Sequence, residues 1–195
     1  MEKIPGKSTP PALYIRRPIL SIDLFTNVQR AIQGVMGDNY AFLPRRRGQA
    51  TVSLLRESEM NNAYNRSPAL LNHDIEYIRD YIIESMPNSY DTNVSAHPEN
   101  VVVMRGVRRH LAVTLHAPEV AEERDSIIES MAALGDTPTP WVRGPGHISF
   151  GFFTRPVTPK TMSLIEEAVA DNLPEAFMLG QVGDDPNVRA YMPRY

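Results

Sequence analysis

The sequence predicts an α+β chain of two related halves, each a β-α-β-α-β unit, whose mainly antiparallel sheets face a central cleft about an approximate twofold axis. Three observations predict it. Period-two apolar stretches alternate with 3.6-period stretches along most of the chain. The chain repeats itself without a gap after a shift of 98 positions. Residues 146–153, Gly-His-Ile-Ser-Phe-Gly-Phe-Phe, read as a strand with two distinct faces. His147, Ser149 and Gly151 fall on one face, and Ile148, Phe150 and Phe152 on the other. The second is a core face. The first sets an imidazole two residues from a hydroxyl, a pairing that can move a proton and hold an anionic oxygen.

Taken in order, residues 1–11 are an irregular, Pro-containing lead-in. Residues 12–19 form a strand with Leu13 and Ile15 on one face and Tyr14 and Arg16 on the other. Ser21 is placed to cap a helix that carries Ile22, Phe25, Val28, Ile32 and Val35 at helical spacing and stops near Gly37. Residues 39–48 are a loop, and 49–55 a strand that sets Gln49, Thr51 and Ser53 against Ala50, Val52 and Leu54. Residues 57–68 are polar and read as a loop. Residues 70–86 form an amphipathic helix with Leu70, Leu71, Ile75, Ile78, Ile82 and Met86 as its buried stripe. A second loop covers 87–99. Strands at 101–107 and 110–117 form a hairpin, and a helix with Pro118 in its first turn runs to 134. The Pro-rich loop 135–145, the His147 strand, a helix at 158–173, a strand at 175–182 and a tail at 183–195 complete the chain.

The repeat ties these elements together. A shift of 98 lays the strand at 12–19 on that at 110–117 and the helix after Ser21 on the helix after Pro118. It lays Gly37-Asp38 on Gly135-Asp136, Arg45 on Arg143, Gly48 on Gly146, Gln49 on His147 and Thr51 on Ser149. The expected organisation is one bilobal domain over 12–182, with lobe cores at about 12–107 and 108–182 that are compatible with strand exchange.

Composition bounds the function. The chain has 195 residues, 42% apolar and 22% charged, with a formal net charge of −3, so it lacks the broad basic footprint of a duplex DNA binder. It has no cysteine, which excludes thiol chemistry and thiolate metal sites. No apolar run is long enough for a membrane span and no signal-peptide pattern is present, so the expected location is cytoplasmic. No Gly-rich phosphate loop, nucleophile elbow or zinc motif occurs, and neither a metal nor a cofactor is expected.

The cleft-facing polar residues are the candidates for chemistry. His147, Ser149, Gln49 and Thr51 lie on the two repeated strands. Arg45 and Arg143 occupy equivalent loops before them, where a guanidinium can grip phosphate oxygens. Tyr40 and Trp141 share those loops and offer stacking surfaces for a base. Tyr14 and His116, on neighbouring strands, are placed to line the same cleft. Arg105, Arg108 and Arg109 read as an exposed hairpin turn, and His73 and His97 as structural.

A bilobal α+β chain with an H-Φ-[S/T]-Φ strand in each half resembles the two-histidine (2H) phosphoesterase superfamily, which includes the 2′,5′ RNA ligase-like proteins and cyclic phosphodiesterases. His147-Ile148-Ser149-Phe150 matches the second motif in full, and Gln49-Ala50-Thr51-Val52 matches the first except that Gln stands where the family has His. The resemblance implies metal-independent acid–base catalysis, with His147 as general acid or base and Thr51 and Ser149 holding the phosphate. A Gln amide does not titrate near neutral pH, so the implied activity is weakened or lost unless His110 or His116 substitutes. The expected ligand is a nucleotide or short RNA: an RNA end, a 2′,3′-cyclic phosphate, or a small cyclic or 2′,5′-linked oligonucleotide. The alternative is an inactive nucleotide-binding protein on the same fold that senses or sequesters its ligand.

Overall fold

Among the described residues, the alternation of strand and helix patterns is realised in seven strands and four longer α-helices, and residues 62–63 and 65–66, in the expected loop at 57–68, are also helical. The computed structural model describes residues 15–37, 41–45, 51–55, 62–63, 65–104, 109–136 and 146–182. In chain order these hold β1 (Ile15–Pro18), α1 (Ile22–Met36), β2 (Phe42–Pro44), β3 (Thr51–Leu55), α2 (Ile75–Ser85), β4 (Val94–Met104), β5 (Arg109–His116), α3 (Pro118–Ala133), β6 (Gly146–Phe153), α4 (Pro159–Ala170) and β7 (Phe177–Leu179). Among them, no helix is long and apolar enough to cross a membrane.

Local chemistry sets most boundaries. α1 stops at Gly37, whose φ of +68° is open to glycine at little cost. α4 begins at Thr158, whose hydroxyl accepts from the Thr161 N–H at 3.1 Å, with Pro159 in the first turn. The expected helix at 70–86 is split. A 3-10 turn covers Pro68–Asn72, and His73 and Asp74 are extended before α2 begins. Two of the expected loops, 39–48 and 87–99, are partly ordered into strands. β2 lies within 39–48, and β4 begins at Val94 rather than at 101. Pro98 hides β4 from a pattern search because proline cannot donate to a ladder. The structure places it at a register irregularity between Pro98 and Val101, where the missing donor is tolerated.

The strand order is β1-β3-β6-β5-β4-β7, all antiparallel, with β2 also beside β6. A bridge between Ile19 and Leu179, and a bond from the Gly180 N–H to the Pro18 carbonyl at 2.8 Å, bring β7 back to β1. The sheet therefore nearly closes on itself. β3 of the first half pairs directly with β6 of the second, so where two sheets facing a cleft were expected, the strands run as one continuous sheet.

One face of that sheet is the core. Val52 and Leu54 of β3, Ile148 and Phe150 of β6, and Leu111, Val113 and Leu115 of β5 are buried in a single apolar cluster with residues of all four helices. Phe25 of α1 stacks on Phe150 with ring centroids 5.2 Å apart. Arg17, between the site-side neighbours Arg16 and Pro18, points into this interior and is fully buried. Its Nε donates to Glu123 Oε2 of α3 at 2.8 Å and its Nη2 to Oε1, while Nη1 donates to the Thr92 and Gly180 carbonyls at 2.9 and 2.8 Å. One side chain thus ties β1, β7, α3 and the approach to β4 together.

Candidate active site

The other face of the sheet carries the polar residues, and the register arranges them in rows. Val52 is paired with Ile148. Continuing one residue each way sets Thr51 beside Ser149 and Ser53 beside His147, because antiparallel neighbours run in opposite directions. On β5, Thr114 pairs with His147 and Ala112 with Ser149. On β1, Arg16 pairs with Ser53. One row is therefore Arg16, Ser53, His147, Thr114, and the next is Thr51, Ser149, Ala112.

The next row departs from simple alternation. The register between β5 and β6 shifts between Leu111 and Ala112, which leaves Phe150 as one extra residue on β6. Such a bulge moves every later side chain to the opposite face. Phe152, expected in the core, instead joins the polar face beside His110, its cross-strand partner. Gly151, expected on the polar face, turns toward the core. A Cβ there would lie 2.2 Å from Phe42 Cζ and 2.6 Å from the Leu43 carbonyl, so only glycine fits. The bulge is held from below. Gln29 of α1, itself buried, donates to the Phe150 carbonyl at 2.7 Å and to the Arg45 carbonyl at 2.8 Å. The Arg45 N–H also donates to Phe150 O at 2.9 Å. This lattice places the Arg45 guanidinium 5.2 Å from the centroid of the Phe152 ring.

Two imidazoles also meet on this face. His110 lies four residues from Thr114, the partner of His147, or about 13 Å along the strand. Yet the two ring centroids are only 6.2 Å apart. The side chains must lean toward each other over Ala112, whose methyl group leaves the space. Phe152 closes the far side of His110 at 6.0 Å. Ser149, beside Ala112 in the row between those of the two histidines, is 6% exposed, while Thr51, Ser53 and His147 are half-buried.

Of the residues singled out from the sequence, His147, Ser149, Thr51 and Arg45 thus gather around one patch. His116 stands at the other end of β5, paired with His97, whose Nδ1 lies 3.2 Å from the Glu175 carbonyl oxygen. Gln49, Tyr14, Tyr40, Trp141 and Arg143 lie outside the described residues. The local twofold through the Val52–Ile148 pair relates Thr51 to His147 and Ser53 to Ser149, so here the repeat runs at 96 positions, two fewer than the sequence alignment. Phe152 was missed because a strict alternation assigns it to the core, although Gly151, a glycine inside an apolar strand, is the signal that marks a bulge. Among the described residues no group of three or more His, Asp or Glu side chains is placed to hold a metal ion.

No family model matches the sequence, and no curated protein matches it. Solved structures do. The structure of Kluyveromyces marxianus Usb1 with uridine monophosphate aligns over 82% of each chain at 18% identity, with a TM-score of 0.43. The structure of Kluyveromyces marxianus Usb1 aligns over 86% of this chain and 89% of that one, at 18% identity, with a TM-score of 0.50. That second alignment spans almost the whole of both chains, and the nearly closed antiparallel sheet with its flanking helices is the fold that this chain shares with Usb1.

Proposed function

We propose that the chain is a 2H-type phosphodiesterase acting on RNA ends, 2′,3′-cyclic phosphates or small cyclic or 2′,5′-linked oligonucleotides. The observation that carries this reading is the pair of imidazoles, His110 and His147, whose rings stand 6.2 Å apart with Ser149 in the row between theirs. Two donors at that spacing each reach a different oxygen on one phosphorus, given hydrogen bonds of about 2.7–3.2 Å. The chemistry then follows. One imidazole, neutral, takes the proton from the attacking water or hydroxyl. The other, protonated, delivers a proton to the departing ribose oxygen, and the P–O bond breaks. The Ser149 and Thr51 hydroxyls donate to the non-bridging oxygens, and the Arg45 guanidinium adds positive charge beside them.

In this assignment His110 takes the role for which the first motif lacks a histidine. The local twofold through the Val52–Ile148 pair makes Thr51 the counterpart of His147, and Gln49 lies two residues earlier on the chain. The activity accordingly rests on two histidines from neighbouring strands β5 and β6 rather than from the two symmetric motifs.

The test is direct. The wild type, His110→Gln and His147→Gln are incubated with 2′,3′-cyclic mononucleotides and 2′,5′-linked dinucleotides. The expected result is turnover by the wild type and a fall in kcat of about 10²–10⁴-fold in each variant. Tight nucleotide binding by the wild type with no turnover overturns the reading in favour of a binding protein. Turnover that survives both substitutions places the acid and base elsewhere.

A further inference from the structure

Beside the two imidazoles, and outside the chemistry assigned to them, the sheet opens into a cavity of about 540 Å³. Among the described residues its lining includes Leu43, Phe152, Thr154, Pro156, Arg109 and Arg155. We propose that this cavity is a second nucleotide subsite, which holds the base and phosphate next to the reacting linkage and makes the preferred ligand a strand rather than a mononucleotide. The proposal rests on the phosphodiester reading above and extends it to residues that reading does not use.

Three observations carry it. The first is continuity. Phe152 is shared: its ring lies 6.0 Å from His110 and also forms a wall of the cavity. A ligand whose phosphorus sits between His110 and His147 must extend past Phe152 in one direction or away from it in the other. The second is chemistry. The cavity has an apolar wall of Leu43, Phe152 and Pro156 and two arginines, with no carboxylate among its described lining residues. This concentrates positive charge on a chain whose formal net charge is −3. An apolar wall with convergent cations suits a base and its phosphate, since bases stack on aromatic or apolar surfaces and guanidinium forks match phosphate oxygens. The third is that the two arginines are available. Both are exposed, and neither forms an ion pair with any of the described residues. A cavity of this size is within the range of about 300–1,000 Å³ that small-ligand sites occupy.

Two different strands supply the arginines. Arg109 opens β5, where it pairs with Phe153, and Arg155 follows the end of β6. The bulge at Phe150 is what turns Phe152 into this space, so one irregularity sets this ring against His110 and makes it a wall of the adjoining cavity.

The experiment compares a strand with its terminal unit. A 5′-fluorescein hexauridylate ending in a 2′,3′-cyclic phosphate is titrated by anisotropy against the wild type, Arg155→Glu, Arg155→Lys and the Arg109→Gln/Arg155→Gln double variant. Uridine 2′,3′-cyclic phosphate serves as the competitor. Melting temperatures confirm that each variant is folded, which the exposure of both arginines favours. The expected result is a loss of hexamer affinity of about tenfold or more in the double variant, a larger loss than for the mononucleotide. The slope of log affinity against log salt should fall by about 0.7 per arginine removed. Arg155→Lys should keep that slope, and Arg155→Glu should lose the most affinity. Equal losses for hexamer and mononucleotide, an unchanged hexamer affinity, or no hexamer binding by the wild type overturns the proposal. Turnover of the mononucleotide is read separately, so an enzyme that lacks this subsite is distinguished from a nucleotide-binding groove that lacks catalysis.

Discussion

Replacing Glu123 with glutamine removes one charge from a pair that no water reaches. Both partners are fully buried, and Glu123 meets Arg17 through both carboxylate oxygens. The substitution keeps the shape and one acceptor, but leaves the guanidinium in the interior facing a neutral amide. Arg17 keeps its bonds to the Thr92 and Gly180 carbonyls, which are dipoles and offset only part of the lost charge. Removing one partner of a buried pair costs about 3–5 kcal/mol. For a domain of this size 1 kcal/mol lowers Tm by about 2–4 °C, so Glu123→Gln should melt about 6–20 °C below the wild type. The double substitution Arg17→Met/Glu123→Leu removes both charges and should recover much of that loss, since apolar replacements of buried pairs are often near neutral. Thermal unfolding followed by circular dichroism, repeated in 0.5 M salt, is the assay. A Glu123→Gln protein that melts within about 2 °C of the wild type refutes the reasoning, because the pair would then be solvated. Recovery in salt would do the same, because buried pairs are screened little.

Three further predictions concern the polar face. Gly151→Ala forces a methyl group against Phe42 and the Leu43 carbonyl, and should destabilise the protein by about 1–3 kcal/mol and lower kcat as Phe152 is displaced; chemical denaturation with parallel kinetics checks both. The kcat/KM of the wild type should be bell-shaped across about pH 5–8, because one imidazole must be neutral and the other protonated, and His110→Gln or His147→Gln should remove one limb. In the His110→Gln background, Thr51→His should restore part of the lost rate while Gln49→His should not; a rescue by Gln49→His instead would show that the sequence alignment, and not the local twofold of the sheet, locates the missing counterpart of His147.

What the sequence reveals depends on whether an element's pattern is set by its own residues or by its partner. α1, α3 and α4 were legible because their stripes and end signals are local: Gly37 ends one, Pro118 opens another, and Thr158 and Pro159 begin the third, although the Ser21 hydroxyl expected to cap α1 makes no capping hydrogen bond. The His147 strand was legible for the same reason up to the point where it bulges. β2 was not, because three residues, Phe-Leu-Pro, carry no periodicity of their own and become a strand only against β6. β4 was truncated by Pro98, whose penalty is cancelled by a bulge that only the partner strand reveals. For the site, His147, Ser149 and Thr51 were found as a shared face, but the second imidazole was left open between His110 and His116, which open and close the same strand. The rings lean together over a distance that periodicity does not encode.

The bulge explains why the site is built where it is. A regular β6 would send Phe152 into the core, where Phe42, Phe25 and Phe150 already pack. It would also turn Gly151 outward and leave the polar face beyond Ser149 without a wall. One extra residue exchanges the two: the glycine meets Phe42, and the phenylalanine meets His110 and Arg45. The unpaired backbone that a bulge creates would be costly in the interior, and here Gln29 and the Arg45 N–H both donate to the Phe150 carbonyl. Gln29 is a polar residue on the buried stripe of α1, at a position where an aliphatic side chain would pack better. Its presence there follows from the need to satisfy the bulge, and through the bulge it reaches the Phe152 ring beside His110. On this argument Gln29 is a positioning residue for the polar face, although its own side chain lies wholly on the core side of the sheet.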